Sequence, residues 1–334
     1  MPTALITGAA GQDGFYLASY LRRLGYEVAG LLQPREHRDQ QRDLAENIRL
    51  ITGDMTDMAS LLNALREVQP DEVYNLAAVS SVRTAWDQPI RAADVNGLGL
   101  VNLLEALRAL AGRNVSNIRV FQASSAQMFG DIASDCFTEE TPIRPVSPYG
   151  AAKAFAHFTA NAYRHEYGMF ISCGILGNHE SPLHDTDFVI PRITQAVSRI
   201  AAGSQDKLVL DNLTATRDWG YAGDFVVAMH AALQHQQPED FVIATGQAHS
   251  VADAVAAAFA AVGVADWQAH VSATGVSGGR AQHVARGDIS KARRLLNWSP
   301  TVGFADLVAM MVQHYTGQSA ESGYRPAPAG PRTA

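Results

Sequence analysis

Short apolar runs alternate with longer amphipathic stretches through the first half of the chain. Residues 4–7 read as a strand, a glycine-bearing turn follows, and the spacing over 16–21 predicts a helix. A second strand is expected over 27–32, a third over 48–51, and helix over 60–68. The run 72–78 predicts a buried strand that ends in small residues, 94–110 one long helix, and 118–123 a further strand. A helix is expected from Tyr149, then a strand over 170–176 and a polar loop over 177–182. Strands that alternate with helices imply a parallel sheet covered on both faces, with ligand at the C-terminal ends of the strands.

Beyond residue 177 the alternation loosens. Helices are expected at about 188–202, 223–234, 251–262 and 289–296, with short strands near 208–210 and 241–243. The expected fold class is therefore α/β, a Rossmann doubly wound parallel sheet with a smaller mixed α/β C-terminal substrate-binding region. Residues 1–176 make the dinucleotide-binding part, and 177–317 the substrate region interleaved with it. From Gln318 onward Pro326, Pro328, Gly330 and Pro331 predict a disordered tail over 318–334.

Between the first strand and helix stand Gly8, Gly11, Gln12, Asp13 and Gly14. Such a turn lets backbone N–H groups approach a pyrophosphate at the positive end of the helix dipole. Three glycines alone are a weak signal; in a strand–turn–helix–strand setting they indicate a dinucleotide site. After the second strand, Gln33-Pro34-Arg35 holds no acid for the ribose hydroxyls. Arg35 and Arg38 are phosphate contacts or solvated loop charges; NADP or NAD is expected, with NADP preferred. Asp54 and Met55 are candidate adenine neighbours. Leu76, Ala77 and Ala78 either let the cofactor pass closely or are packing spacers.

Ser147-Pro148-Tyr149-Gly150-Ala151-Ala152-Lys153 places a tyrosine and a lysine four apart, on one side of a helix. A phenol is a poor acid or base near neutral pH, and a cation beside it is expected to lower its pKa and make it a proton shuttle. The pair also occurs by chance at helical spacing. It gains weight beside the glycine turn and Ser125 at the end of a strand.

The 334 residues carry a net charge of −7, which disfavours a nucleic-acid binder. No apolar run has membrane-spanning length and no signal peptide is expected at the strand-like N-terminus, so a cytoplasmic protein with no membrane partner is predicted. Cys136 and Cys173 lack metal or redox spacing; they are expected to be small, reduced residues in or near the core, and no metal site is predicted.

With these motifs assembled, the chain resembles the extended short-chain dehydrogenase/reductases and, within them, the GDP-mannose 4,6-dehydratases. The resemblance spans about residues 3–315. It rests on Ile6-Thr7-Gly8 with Gly11-Gln12-Asp13-Gly14, Tyr74-Asn75-Leu76-Ala77-Ala78 and Ser147-Pro148-Tyr149-Gly150. It continues through Asn178-His179-Glu180-Ser181-Pro182, Arg217-Asp218-Trp219-Gly220 and Ala244-Thr245-Gly246. It implies a GDP-sugar substrate oxidised at C4, with Tyr149 taking the hydroxyl proton, Lys153 holding Tyr149 and the nicotinamide ribose, and Ser125 bonding the same hydroxyl. Arg217 and Arg280 match diphosphate clamps, with a surface ion pair as the plainer alternative. Asn178 matches a substrate-loop contact, and Glu180 and Arg192 are further candidate substrate contacts. A homodimer or homotetramer is also implied.

The departures bear on the net reaction. The resemblance places a glutamate, the base at C5, two residues after the active-site hydroxyl; here Gln127 stands there, after Ala126. An amide cannot abstract a carbon-bound proton, and loss of a positioned base costs roughly 10²–10⁴-fold. Ser125-Ala126 instead resembles the Ser-Ala pair of nucleotide-sugar 4-epimerases. His184-Asp185 and Pro191-Arg192 also differ from the dehydratase pattern, as does Ala281-Gln282-His283 after Arg280. A 4-epimerase is therefore expected first. The alternatives are a 4,6-dehydratase with another base such as His179, a 4-keto-sugar reductase, and a silent nucleotide-sugar sensor.

Overall fold

The computed structural model describes residues 1–33, 48–132, 134–205, 207–274 and 286–317. Seven parallel strands make the central sheet: β1 (Thr3–Thr7), β2 (Glu27–Leu32), β3 (Arg49–Thr52), β4 (Glu72–Asn75), β5 (Arg119–Ser125), β6 (Phe170–Leu176) and β7 (Asp240–Ile243). Their order across the sheet is β7-β6-β5-β4-β1-β2-β3. The chain thus winds outward from β1 in one direction and then, from β4, in the other. Where the winding reverses, the C-terminal ends of β1 and β4 open a crevice for ligand.

Side chains alternate across each strand, so the two faces of the sheet become two cores. Ala4 and Ile6 of β1 face Tyr16, Leu17 and Leu21 of α1 (Gln12–Arg23), together with Phe225 and Met229 of α8 (Ala222–Gln234). Leu5 faces the other way. It joins Leu61 and Leu65 of α2 (Met58–Val68), Leu103 and Leu107 of α5 (Gly99–Ala111), and Ala156 and Ala160 of α6 (Pro148–Tyr167). Helix α6 starts where Ser147 Oγ accepts the Gly150 N–H at 3.1 Å, with Pro148 in its first turn, and it stops at Gly168.

The pattern-based expectations differ from the structure in several places: the strand expected over 72–78 ends at Asn75, and the loop expected over 177–182 holds the short strand Asn178–Glu180. Two short helices, α3 (Val82–Asp87) and α4 (Pro89–Ala93), precede α5. The first turn of the helix expected over 94–110 is a π segment, Asp94–Leu98. The wide turn accompanies an inward-facing Asn96, whose amide binds both Val79 N–H (2.7 Å) and Val79 C=O (3.1 Å). Finally, α11 (Phe304–Thr316) buries Leu307, Val308, Met311 and Val312 against α7 (Val189–Ala201) and α9 (Val251–Ala261). The expected tail over 318–334 lies outside the described residues.

The C-terminal half is fastened to the sheet in two ways. It contributes β7, and α8 lies against α1. Among the described residues, no helix is long and apolar enough to cross a membrane. Cys173 is buried in the core, as expected, and Cys136 is half-buried.

Asp224, buried in α8, accepts from Thr301 N (2.7 Å), Thr301 Oγ1 (2.6 Å) and Val302 N (3.0 Å). Asp224→Ala would strand these donors, and a loss of about 3 kcal/mol is expected. Urea denaturation checks this; a midpoint equal to that of the wild type would show that the donors find other partners.

Candidate active site

The glycine turn between β1 and α1 is built around close approach. Gly8 sits at φ +68°, and a Cβ there would lie 2.9 Å from the backbone of Ala77. A Cβ on Gly14 would meet Gly8 O at 2.5 Å. Gly11 N donates to Gly8 O at 3.0 Å, and Gly11 begins α1 without any side-chain cap. The first N–H groups of α1 are therefore offered toward the crevice, at the positive end of the helix. This cradle suits a dinucleotide pyrophosphate.

A buried polar rung crosses the strand ends beside it. Thr7 Oγ1 donates to Asn75 Oδ1 (2.7 Å) and accepts from Leu76 N and Ala77 N (3.1 Å each). Asn75 Nδ2 donates to Gln122 Oε1 (2.7 Å), and Gln122 Nε2 donates to Ala123 O (3.0 Å). Ala77 is thus pinned against Gly8. Asp54 accepts from Thr56 N at 2.8 Å within its own turn, and Met55 is buried where a Cβ on Gly99 would touch it. Met55 therefore sits in the core. Ala78 is half-buried just beyond the end of β4.

Ser125, Tyr149 and Lys153 come together. Ser125 ends β5, and its hydroxyl accepts from Gln127 N at 3.2 Å and meets the Tyr149 phenol. Lys153 is buried, donates to Ala123 O at 2.9 Å and lies 5.9 Å from the centre of the Tyr149 ring. Burial pushes the Tyr149 phenol up to about 12, against the Ser125 hydrogen bond and together with the charge of Asp13. Burial likewise pushes Lys153 down to about 8, partly offset by Asp13. The lowering of Tyr149 expected from its lysine is therefore not found in the protein alone: burial raises the phenol instead. Gln127 is half-buried in the turn Ala126–Phe129, and its carbonyl leaves no room for a Cβ on Gly150.

The loop after β6 closes onto the glycine turn. His179 Nε2 lies 2.8 Å from Asp13 Oδ2, and its Nδ1 lies 2.9 Å from Gly177 O. Burial alone would push this imidazole down, but Asp13 holds it up at about 9. Gln12 Nε2 donates to His179 O (3.2 Å), and Ser181 Oγ donates to Gln12 Oε1 (2.7 Å). Glu180 is buried and bonded to His184, which stacks on Phe188. Asn178 is half-buried and pairs in a short parallel ladder with Trp219. Arg217 is half-buried, donates to Thr216 O (2.7 Å), and has its pKa lowered by burial. Arg192 is exposed on α7. Arg35 and Arg280 lie outside the described residues.

Sequence reasoning missed Asn75, Asn96 and Gln122 as supports of this site, and it missed the tie between Asp13 and His179. An amide closing a strand, for Asn75, or set among the buried residues of one, for Gln122, was the available signal.

The sequence matches the GDP-mannose 4,6 dehydratase family over residues 5–311. It is 41% identical over 326 residues to GDP-mannose 4,6 dehydratase 1 of Arabidopsis thaliana, covering 92% of this chain and 88% of that protein. It is 38% identical over 337 residues to the human GDP-mannose 4,6 dehydratase, covering 92% and 90%. Among solved structures, UDP-glucose 4-epimerase of Thermus thermophilus in complex with NAD superposes with a TM-score of 0.83 at 26% identity, covering 95% of this chain and 100% of that one. A dTDP-glucose 4,6-dehydratase of Streptomyces venezuelae with NAD bound gives 0.82 at 25% identity, covering 95% and 97%. The glycine cradle, the strand-end serine and the Tyr149–Lys153 helix thus sit in a chain that belongs to the GDP-mannose 4,6-dehydratase family.

Proposed function

We propose that the protein inverts C4 of a GDP-sugar, with NADP or NAD in the cradle between β1 and β4. The bound nicotinamide supplies reversible hydride transfer at C4. Tyr149 takes and returns the C4 hydroxyl proton, Ser125 orients that hydroxyl, and Lys153 holds the Tyr149 side and the ribose. Asn178, Glu180, Arg192, Arg217 and Arg280 are the proposed sugar-nucleotide contacts, the arginines suiting a diphosphate. Gln33 where an acid would bind ribose hydroxyls favours NADP over NAD.

One observation carries the choice of net reaction. Gln127 stands where dehydration needs a base at C5, while the groups for C4 chemistry are assembled. The second reading is GDP-mannose 4,6-dehydration, favoured by relatives of that name at 38–41% identity. It requires a different base, and His179 is poorly placed for that task, since Asp13 keeps it charged at neutral pH.

Exposed Trp86, Ile90, Leu98, Phe155 and Phe158 lie on the adjoining α3, α4, π segment and α6. We propose that this apolar face pairs two copies of the chain.

Incubation with GDP-mannose and related GDP-sugars tests the function. Unchanged product mass with a new configuration at C4 is expected; loss of water would instead identify a dehydratase. A product formed only from a 4-keto sugar with reduced cofactor would identify a reductase. Gln127→Glu is expected to introduce water loss, and Tyr149→Phe to lower kcat at least about 100-fold.

The pairing of Asp13 with His179 has its own pH signature. A pKa raised from 6.5 to about 9 stabilises the fold fully below pH 6.5, and that contribution fades as pH rises through about 9. Wild-type Tm should fall more steeply than that of His179→Asn across this range; parallel curves would mean the pair is not ionic. For the apolar face, light scattering should find a dimer for the wild type and a monomer for Ile90→Lys/Phe158→Glu, and a monomeric wild type would refute the pairing.

A further inference from the structure

Tyr149, Lys153, His157 and Asn161 recur every four residues and form one polar stripe along α6, with Lys153 and His157 buried and Tyr149 and Asn161 half-buried at its ends. The stripe continues two turns past the residues that face the reaction. Its third member, His157, is buried, and its Nδ1 lies 3.0 Å from Ser124 Oγ. On the other side of the ring, Nε2 lies 3.3 Å from Asn161 Nδ2 and 3.5 Å from Asp240 Oδ2 on β7. Arg164 Nη2 donates to Asp240 Oδ1 at 2.6 Å, and its Nε donates to Ile171 O at 2.8 Å. Cys173 of β6 completes the surroundings.

His157, Cys173 and Asp240 hold ligand-type atoms within 4.8 Å of one another. Arg164 already supplies the positive charge there, so the cluster is closed by a guanidinium and not by a metal ion. A buried imidazole in that setting offers one donor and one acceptor while uncharged. Burial depresses its pKa against the pull of Asp240 and keeps it uncharged at neutral pH.

Ser124 lies between the two points where β5 meets the reaction groups. Its predecessor, Ala123, offers the carbonyl that takes Lys153, and its successor, Ser125, offers the hydroxyl that meets Tyr149. We propose that His157 is a positioning residue: by holding Ser124 it fixes the end of β5, and with it Ser125 and the Ala123 carbonyl, against Tyr149 and Lys153. The inference rests on the C4 chemistry proposed above.

The test compares His157→Leu, His157→Gln and Ser124→Ala in the full chain with bound cofactor. In His157→Leu, kcat for C4 chemistry is expected to fall about 100-fold while KM changes by less than about twofold. His157→Gln, which keeps a polar partner for Ser124, should recover at least about tenfold of that loss. Ser124→Ala should lower kcat in the same direction, guarding against a His157→Leu protein that fails to fold. Equal losses in the Leu and Gln variants, or wild-type kcat in Ser124→Ala, would overturn the proposal. Crystal structures of wild type and His157→Leu provide a readout without sugar. Lys153 Nζ should move out of hydrogen-bond range of Ala123 O; an unmoved lysine overturns the positioning role. If the wild type turns over no GDP-sugar, the C4 reading fails while this structural comparison still decides the role of His157.

Discussion

The carbonyl of Ala123 is the point on which the site depends. It accepts from Gln122 Nε2 at 3.0 Å and from Lys153 Nζ at 2.9 Å, deep at the end of β5. A buried ammonium is costly unless its donors are met, so this acceptor keeps Lys153 inside the protein. Through Gln122 and Asn75 the same acceptor is tied to Thr7, and Thr7 holds the backbone against which Gly8 is packed. The glycine cradle and the lysine are thus two ends of one hydrogen-bonded rung. A shift of β5 relative to β1 would disturb both.

How far the molecule was legible in its sequence follows from the range of the interactions. The glycine turn, the strand–helix alternation and the Tyr149–Lys153 spacing are local patterns, and the structure contains each of them. The contacts that set their chemistry are distant in sequence: Asp13 with His179, Asn75 with Gln122, His157 with Asp240. No periodicity announces such pairs. The lowering expected for the Tyr149 phenol failed for a related reason. Spacing reports the neighbouring cation, but not how dry the surroundings are, and burial is the largest cause of the raised phenol. Helix α11 buries residues at helical spacing and was nonetheless missed, because the loosened pattern beyond residue 177 offered no strand to frame it.

Two buried aspartates show how the C-terminal half keeps its irregular chain in place. Asp218 accepts from Thr245 N (2.8 Å), Thr245 Oγ1 (2.6 Å), Gly246 N (2.9 Å) and Gly287 N (3.1 Å). Asp224 does the same for Thr301 and Val302. Backbone donors that no strand or helix bond takes up are met by a carboxylate instead. Arg217 directly precedes the first of these anchors, so the proposed diphosphate contact stands on a fixed base.

The place of β7 has a consequence for synthesis of the chain. β6 pairs with β5 on one side and with Asp240–Ile243 on the other, and the second partner arrives only after α7 and α8 have been made. Until then β6, whose residues from Ile171 to Leu176 are buried in the finished protein, is an open edge. Unpaired apolar edges recruit other strands. The part of the sheet made before β7 therefore emerges with β6 as an unpaired edge, and the nascent chain passes through a stage in which that edge is exposed to neighbours.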